Sequence, residues 1–246
     1  MKILGSAILC VFAKNVADKI ELNLYILIYT METIVSFSFP EVVCRFSLNR
    51  RGPRKYGTLS DLLASGTGIP STVGMPNGDE VIRNDIRIST RFTSVIDFDI
   101  EELDPDIVEE HLIKLSPDNS TIYWPYSDRY SVIEYGPGGF FSEHQDKKQK
   151  KNHIATLLIF PPAVGTLEHT GGELILDRGR FRFNSSSNME WAFVAFHTGL
   201  PHECLAVLSG RRVVFKTELY SSKPVEHIPG DEYRNMIVDG SLRFID

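Results

Sequence analysis

The chain has 246 residues, enough for one sizeable domain with its own core, and its 42% hydrophobic and 24% charged content excludes a disordered or fibrous protein. Lys and Arg number 26 against 32 Asp and Glu, a formal charge of -6 that argues against a nucleic-acid partner, because phosphate binding favours a basic surface.

The first stretch, "MKILGSAILCVFA", has one Lys and then an apolar run that suits a signal-peptide core and is too short to span a bilayer. A second apolar patch, "LNLYILIYTM", is also too short, so no stable membrane insertion is expected. Residues 1–35 admit three readings: a signal peptide over residues 1–17, a buried N-terminal strand or helix, or a start codon placed too early, with Met31 opening the protein. No good cleavage site follows, so the expectation is a soluble, intracellular (cytoplasmic) protein, the secretory route staying open if residues 1–17 act as a signal. The sequons at Asn119 and Asn184 matter only on that route. Cys10, Cys44 and Cys204 form no CxxC, so neither a disulfide framework nor a thiolate zinc site is indicated.

"TLSDLLASG" predicts a short helix from about Thr58, closed by Gly66. "DPDIVEEHLIKLS" predicts a second, with Asp104 as its cap. Between them, residues 67–90 carry the Gly and Pro punctuation of turns and loops. From Tyr130 the texture changes to short β-rich runs: "YSVIEY", "HIATLLIF", "GGELILD", "RFRFN", "EWAFVAF", "HECLAVL" and "RRVVFKTELY". With no helical period between them, they predict an antiparallel sandwich or jelly roll, mainly β with flanking helices. Residues 36–222 are expected to form one domain with its motif core at 130–220, and 223–246 a polar C-terminal extension. "KKQKK", Lys147 to Lys151, reads as a solvated loop.

The chemistry gathers at "GPGGFFSEHQD". In extended chain, side chains at i and i+2 share a face, so His144 and Asp146 can meet one ion. Short pairs of this kind arise by chance, so a third ligand must corroborate them. His202 is the candidate, at the start of a later strand that a jelly roll can bring beside the first. Two histidines and a carboxylate on one face of a metal leave open positions, the arrangement of non-haem Fe(II) oxygenases. Arg212, ten residues on, can present a guanidinium to the same cavity and hold a carboxylate through two parallel hydrogen bonds, as the distal end of 2-oxoglutarate requires. His111, His153, His169, His197 and His227 are assigned to surface or loop roles, the metal geometry being complete without them. Gly171 and Gly172 read as a bulge or tight turn, and Phe140 and Phe141 as packing for the strand that leads to His144.

Three segments, "YGPGGFFSEHQD", "HIATLLIFPP" followed by "GGELIL", and "WAFVAFHTGLPHECLAVLSGRRVVFKTELY", match a known pattern in order and spacing. By them the chain resembles the 2-oxoglutarate and Fe(II)-dependent dioxygenases, specifically the prolyl 4-hydroxylase-like group, with a likeness from about Thr58 to Tyr220 to members of the type common in fungi. The resemblance implies a double-stranded β-helix (jelly roll, cupin-like). It also implies Fe(II), O2 and 2-oxoglutarate as requirements, with ascorbate as a further candidate. His144, Asp146 and His202 are then the expected catalytic iron ligands. The family's Gly-x-Arg spacing selects Arg212 over Arg211 as the anchor of the cosubstrate. Tyr135 and Thr156 fall where the family places hydroxyls near the cosubstrate, although a core tyrosine and a satisfied strand threonine would look the same. Some relatives carry a second tyrosine where this chain has Phe160, which removes one hydrogen bond to the cosubstrate.

The implied activity is hydroxylation of a C–H bond with O2, 2-oxoglutarate leaving as succinate and CO2, on a small-molecule or peptidyl substrate. Two other readings stay open: a catalytically inactive jelly-roll binding module, and a cupin-like metalloenzyme that does not use 2-oxoglutarate. The sequence gives no indication of oligomeric state.

Overall fold

The computed structural model describes residues 8–16, 19–27, 34–39, 44–47, 56–64, 68–75, 78–92, 98–100, 112–116, 121–123, 130–148 and 150–224. The chain divides into two units, Met1–Glu32 and Thr33–Asp246. In the first, Ile8–Val16 and Lys19–Leu27 pair antiparallel as a hairpin, with Ile8 opposite Leu27 and Val16 opposite Lys19. The apolar N-terminal run is therefore strand over these residues.

The second unit is built on eight strands that alternate between two antiparallel sheets, except that Leu174–Leu176 and Phe181–Phe183 follow one another as a hairpin in the same sheet. The larger sheet runs Trp191–His197, His153–Phe160, Arg212–Ser221, Ser131–Tyr135 in space. The smaller runs Phe181–Phe183, Leu174–Leu176, His202–Cys204, Phe140–His144. Successive strands laid down in this way are the winding of a double-stranded β-helix, the expected jelly roll. Ile34–Phe39 extends one edge of the larger sheet, and Thr90–Phe92 and Gly68–Pro70 the other. Arg87–Ile88 extends the smaller sheet beside Phe140–His144.

Two adjacent strands of the larger sheet, His153–Phe160 and Trp191–His197, are buried at every residue because both faces of that sheet are covered there. Period-2 alternation sorts their side chains into two clusters. On the outer face Leu157, Ile159, Phe193, Val213 and Phe215 pack with Leu62, Leu112 and Leu115. On the inner face Leu158, Phe160, Val194, Phe196 and Val214 pack against Leu174, Leu176 and Cys204 of the smaller sheet. Inward positions on the Arg212–Ser221 strand are therefore Arg212, Val214 and Lys216, and on its neighbour Thr156, Leu158 and Phe160.

The first predicted helix is present as Leu59–Ala64, buried at Leu62 and Leu63. Thr58 and Asp61 cap it reciprocally: the Thr58 N–H donates to Asp61 Oδ2 at 2.7 Å and the Asp61 N–H to Thr58 Oγ1 at 3.2 Å. Gly66 lies outside the described residues. So does the Asp104 cap of the second helix, of which a single 3₁₀ turn, Ile113–Leu115, is described. Residues 67–90 depart from expectation, since they hold strands Gly68–Pro70, Val73–Gly74, Glu80–Val81 and Arg87–Ile88 among their turns. Strands of two or three residues are too short to show alternation in sequence and take their order from the edges they join. Among the described residues no helix is long and apolar enough to cross a membrane.

Gly210, the first residue of the Gly-x-Arg spacing, has φ +75°, and a Cβ there would lie 1.9 Å from the Glu168 carbonyl oxygen. Only glycine fits this approach between Val207–Gly210 and His169–Gly171. Gly210→Ala is expected to destabilise the domain by about 2–3 kcal/mol, read as a lowered denaturant midpoint at unchanged slope.

Candidate metal centre

Phe140–His144 and His202–Cys204 pair antiparallel in the smaller sheet, with Phe141 opposite Cys204 and His144 opposite His202. Between these pairs Ser142 and Glu143 oppose the single residue Glu203, so a bulge sits between Phe141 and His144. It turns His144 towards His202, and the ring centroids stand 4.1 Å apart. Asp146, two residues past the strand end, reaches the same point. Ligand atoms of His144, Asp146 and His202 all lie within 4.8 Å of one another, an arrangement that could hold one metal ion. Asp146 Oδ2 is 3.8 Å from His202 Nε2.

Each imidazole is oriented by a backbone carbonyl two residues earlier: His144 Nδ1 donates to Ser142 O at 2.9 Å and His202 Nδ1 to Leu200 O at 3.0 Å. A carbonyl only accepts, so the proton is fixed on Nδ1 and the Nε2 lone pair is left for a ligand. Burial lowers the pKa of both rings, of His144 well below the ordinary histidine value, so both are neutral near pH 7. For Asp146, burial alone would raise the pKa, but Lys216, with the two imidazoles, overcomes it and holds the carboxyl well below the usual range. Lys216 Nζ donates to Oδ1 at 2.6 Å, and the Thr156 hydroxyl donates to Oδ2. All three candidate ligands are thus in the protonation state a cation requires.

A cavity opens onto this triad between the sheets. Arg212 lines it, 2% exposed, with Cζ 5.1 Å from the ring centres of both Tyr135 and Phe160. Its Nε is buried without a hydrogen-bond partner, and among the described residues no carboxylate pairs with its charge. Arg211 faces the other way, 41% exposed, its Nε 2.8 Å from Glu134 Oε1. Gly172, at φ +74°, makes room for Arg212, because a Cβ there would stand 2.7 Å from Arg212 Cδ. The expected irregularity in the pairing with Val207–Gly210 falls between Thr170 and Gly171, just before Gly172.

Tyr135 lines the same cavity, its hydroxyl pKa raised by burial against the opposing charge of Arg87. Thr156 is brought to the site, with its hydroxyl given to Asp146. Phe141 stacks on His144 at 3.5 Å between centroids, so it both packs the strand and lines the cavity. His153, His169 and His197 lie outside the triad, as expected, but they are not surface or loop residues. They sit in strands, buried: His153 Nε2 donates to Ala155 O, His169 Nδ1 donates to Leu167 O while its Nε2 accepts from the Ser185 hydroxyl, and His197 Nδ1 donates to Ile154 O. His111 and His227 lie outside the described residues.

Two residues at the site have no sequence assignment. Lys216 is two positions beyond Val214 and four beyond Arg212, so strand alternation alone would have marked it as inward. Arg87 lines the cavity from a two-residue strand that left no pattern to follow.

No family model and no curated protein matches the sequence. Solved structures resemble it over about two thirds of its length. A prolyl hydroxylase from Trichoplax adhaerens, solved with a hypoxia-inducible-factor degradation-domain peptide, is 17% identical over 66% of this chain and 74% of its own, with a TM-score of 0.44. A 2OG-Fe(II) oxygenase family oxidoreductase from Burkholderia pseudomallei is 13% identical over 68% and 79%, with a TM-score of 0.43. A Pseudomonas putida prolyl-4-hydroxylase is 15% identical over 66% and 81%, with a TM-score of 0.42. At these values the likeness carries no argument about activity, which must come from the site.

The Asp146 pKa lies below the roughly 3.9 of an unfolded aspartate. The stabilisation that depends on it is therefore fully present above about pH 4 and is lost as the pH falls through the folded-state value. Lys216→Met strands the buried carboxylate and is expected to cost about 3 kcal/mol at pH 7, with any metal chelated away. That cost should shrink as the pH is lowered below about 4, in denaturant melts run across the range.

Proposed function

We propose that this chain is a non-haem Fe(II) dioxygenase that hydroxylates a C–H bond of a small-molecule or peptidyl substrate, with 2-oxoglutarate as cosubstrate. The observation that carries the reading is one cavity with a two-histidine, one-carboxylate set at one end and a buried, unpaired arginine at the other. The donor set suits Fe(II): two neutral imidazoles and one carboxylate, leaving further positions free. The orphaned Arg212 Nε suits a dicarboxylate, because a buried guanidinium without a counter-charge is costly and a carboxylate bound there would satisfy it.

In this reading His144, Asp146 and His202 hold iron. Bound there with 2-oxoglutarate and O2, iron would supply the oxidising chemistry of the hydroxylation, in which one oxygen atom of O2 ends in the product hydroxyl and the other in succinate, with CO2 released. The protein's part is ligation, orientation and exclusion of water. Ser142 and Leu200 carbonyls fix the two rings. Thr156 and Lys216 hold one oxygen each of Asp146, so the carboxylate cannot swing away. Arg212 takes the distal carboxylate of 2-oxoglutarate, flanked by Tyr135 and Phe160, and the orientation of the cosubstrate follows from that grip. Phe160 offers no hydroxyl, so Arg212 holds that end with less help than a tyrosine would give.

Succinate release that requires both Fe(II) and 2-oxoglutarate tests the reading against an inactive binding module and against a metalloenzyme without the cosubstrate. Within it, Arg212→Lys keeps the charge and loses the planar fork. The expected result at saturating iron is a 2-oxoglutarate affinity about tenfold to a hundredfold weaker, with little change in Arg211→Lys. A defect in the Arg211 variant alone would contradict the assignment.

A further inference from the structure

The site holds one more cation than a dicarboxylate cosubstrate can use. Arg87 lines the cavity with the triad and Arg212, and it also lines a second, polar cleft with Ser71, Ser89 and Glu134. It stands where the two meet, half-buried, whereas Arg212 lies at the buried end. Its guanidinium carbon is 4.5 Å from the ring centre of Phe141, which in turn stacks on His144 at 3.5 Å. The guanidinium is therefore within about 8 Å of the His144 ring, the reach of a small substrate spanning from metal to side chain.

Its position is built. Arg87 Nε donates to Ser89 Oγ at 2.8 Å and Nη1 to Thr72 O at 3.4 Å, both neutral acceptors. Among the described residues it has no carboxylate partner. Glu134, in the second cleft, is taken by Arg211, and Glu203, which lines the first cavity, makes no ion pair with it. A guanidinium held by neutral groups and stacked on an aromatic ring, with donors left over, is arranged to receive an anion. If the distal carboxylate of 2-oxoglutarate goes to Arg212 and its other end to the metal, that anion is not the cosubstrate.

We propose that the primary substrate carries a carboxylate, and that Arg87 binds it at the mouth of the cavity so that the C–H bond beyond it faces the metal. Arg87 is a specificity-determining residue in this account, which rests on the function proposed above. One arginine already engaged by Ser89, Thr72 and the neutral Tyr135 hydroxyl suits a single carboxylate, and a phosphate dianion would call for more cations than this mouth offers.

The test uses the iron-loaded enzyme with saturating 2-oxoglutarate and a panel of N-acyl amino acids and short peptides, each as free acid and as the matched amide. Succinate release above the substrate-free rate is the readout. The expected result is that stimulation comes from acids, with a kcat/KM at least about tenfold above the amide. Arg87→Gln should raise KM for the responsive acid by about tenfold to a hundredfold and erase the discrimination between acid and amide, and Arg87→Lys should restore part of it. Arg83→Gln, which breaks an exposed pair with Asp85, controls for loss of surface charge nearby. Amides that serve as well as acids, a panel in which no acid stimulates release, or an Arg87→Gln defect in the KM for 2-oxoglutarate in place of the substrate would each overturn the proposal. Wild-type enzyme that never consumes 2-oxoglutarate would instead defeat the underlying function, so the two failures are distinct.

Discussion

A carboxylate kept ionised in a dry interior is the constraint around which this molecule is arranged. Asp146 is 9% exposed, and an isolated buried charge of that kind would cost several kcal/mol. The structure meets the cost from both sheets. Thr156 and Lys216 reach Asp146 from adjacent strands of the larger sheet, and His144 and His202 stand beside it on the smaller. Every one of these side chains depends on strand register: a slip of one residue would send Lys216 and Arg212 to the outer face and leave the carboxylate unmatched.

The same register explains why the fold tolerates so much polarity between its sheets. Along the Arg212–Ser221 strand the inward positions read Arg212, Val214, Lys216: one cation for the buried end of the cavity, one apolar spacer, one cation for Asp146. The outward positions Val213 and Phe215 join the outer-face apolar cluster, which carries the packing independently of the site. Gly172 and Gly210 then serve chemistry through backbone geometry. The first leaves space beside Arg212, and the second lets the chain pass Glu168 before the arginine pair.

Much of this was legible in the sequence because strands with two covered faces are continuous apolar runs, and "HIATLLIF" and "EWAFVAF" are such runs. The His144, Asp146 and His202 grouping was legible from extended-chain alternation and the position of a later strand, and Arg212 over Arg211 from family spacing. Other parts were not. Arg87 sits on a strand of two residues, where no period exists to be seen. Lys216 was within reach of the alternation argument but looked like an ordinary half-exposed strand lysine. His153, His169 and His197 looked like loop residues because His153 follows the lysine-rich loop and the other two each precede a threonine, whereas the strands extend far enough to bury them. The short edge strands of residues 68–92 owe their order to partners distant in sequence, which no local pattern reveals.

The central claim is that one iron ion is held by His144, Asp146 and His202. Anaerobic Fe(II) titration of the wild type and of single alanine variants, with far-UV circular dichroism to confirm the fold, tests it most directly. The account predicts one ion per chain in the wild type, its loss in His144→Ala, Asp146→Ala and His202→Ala with the sheet signal intact, and its retention in His169→Ala. Wild-type affinity in any of the three triad variants, or loss of the ion in the His169 variant, would contradict it.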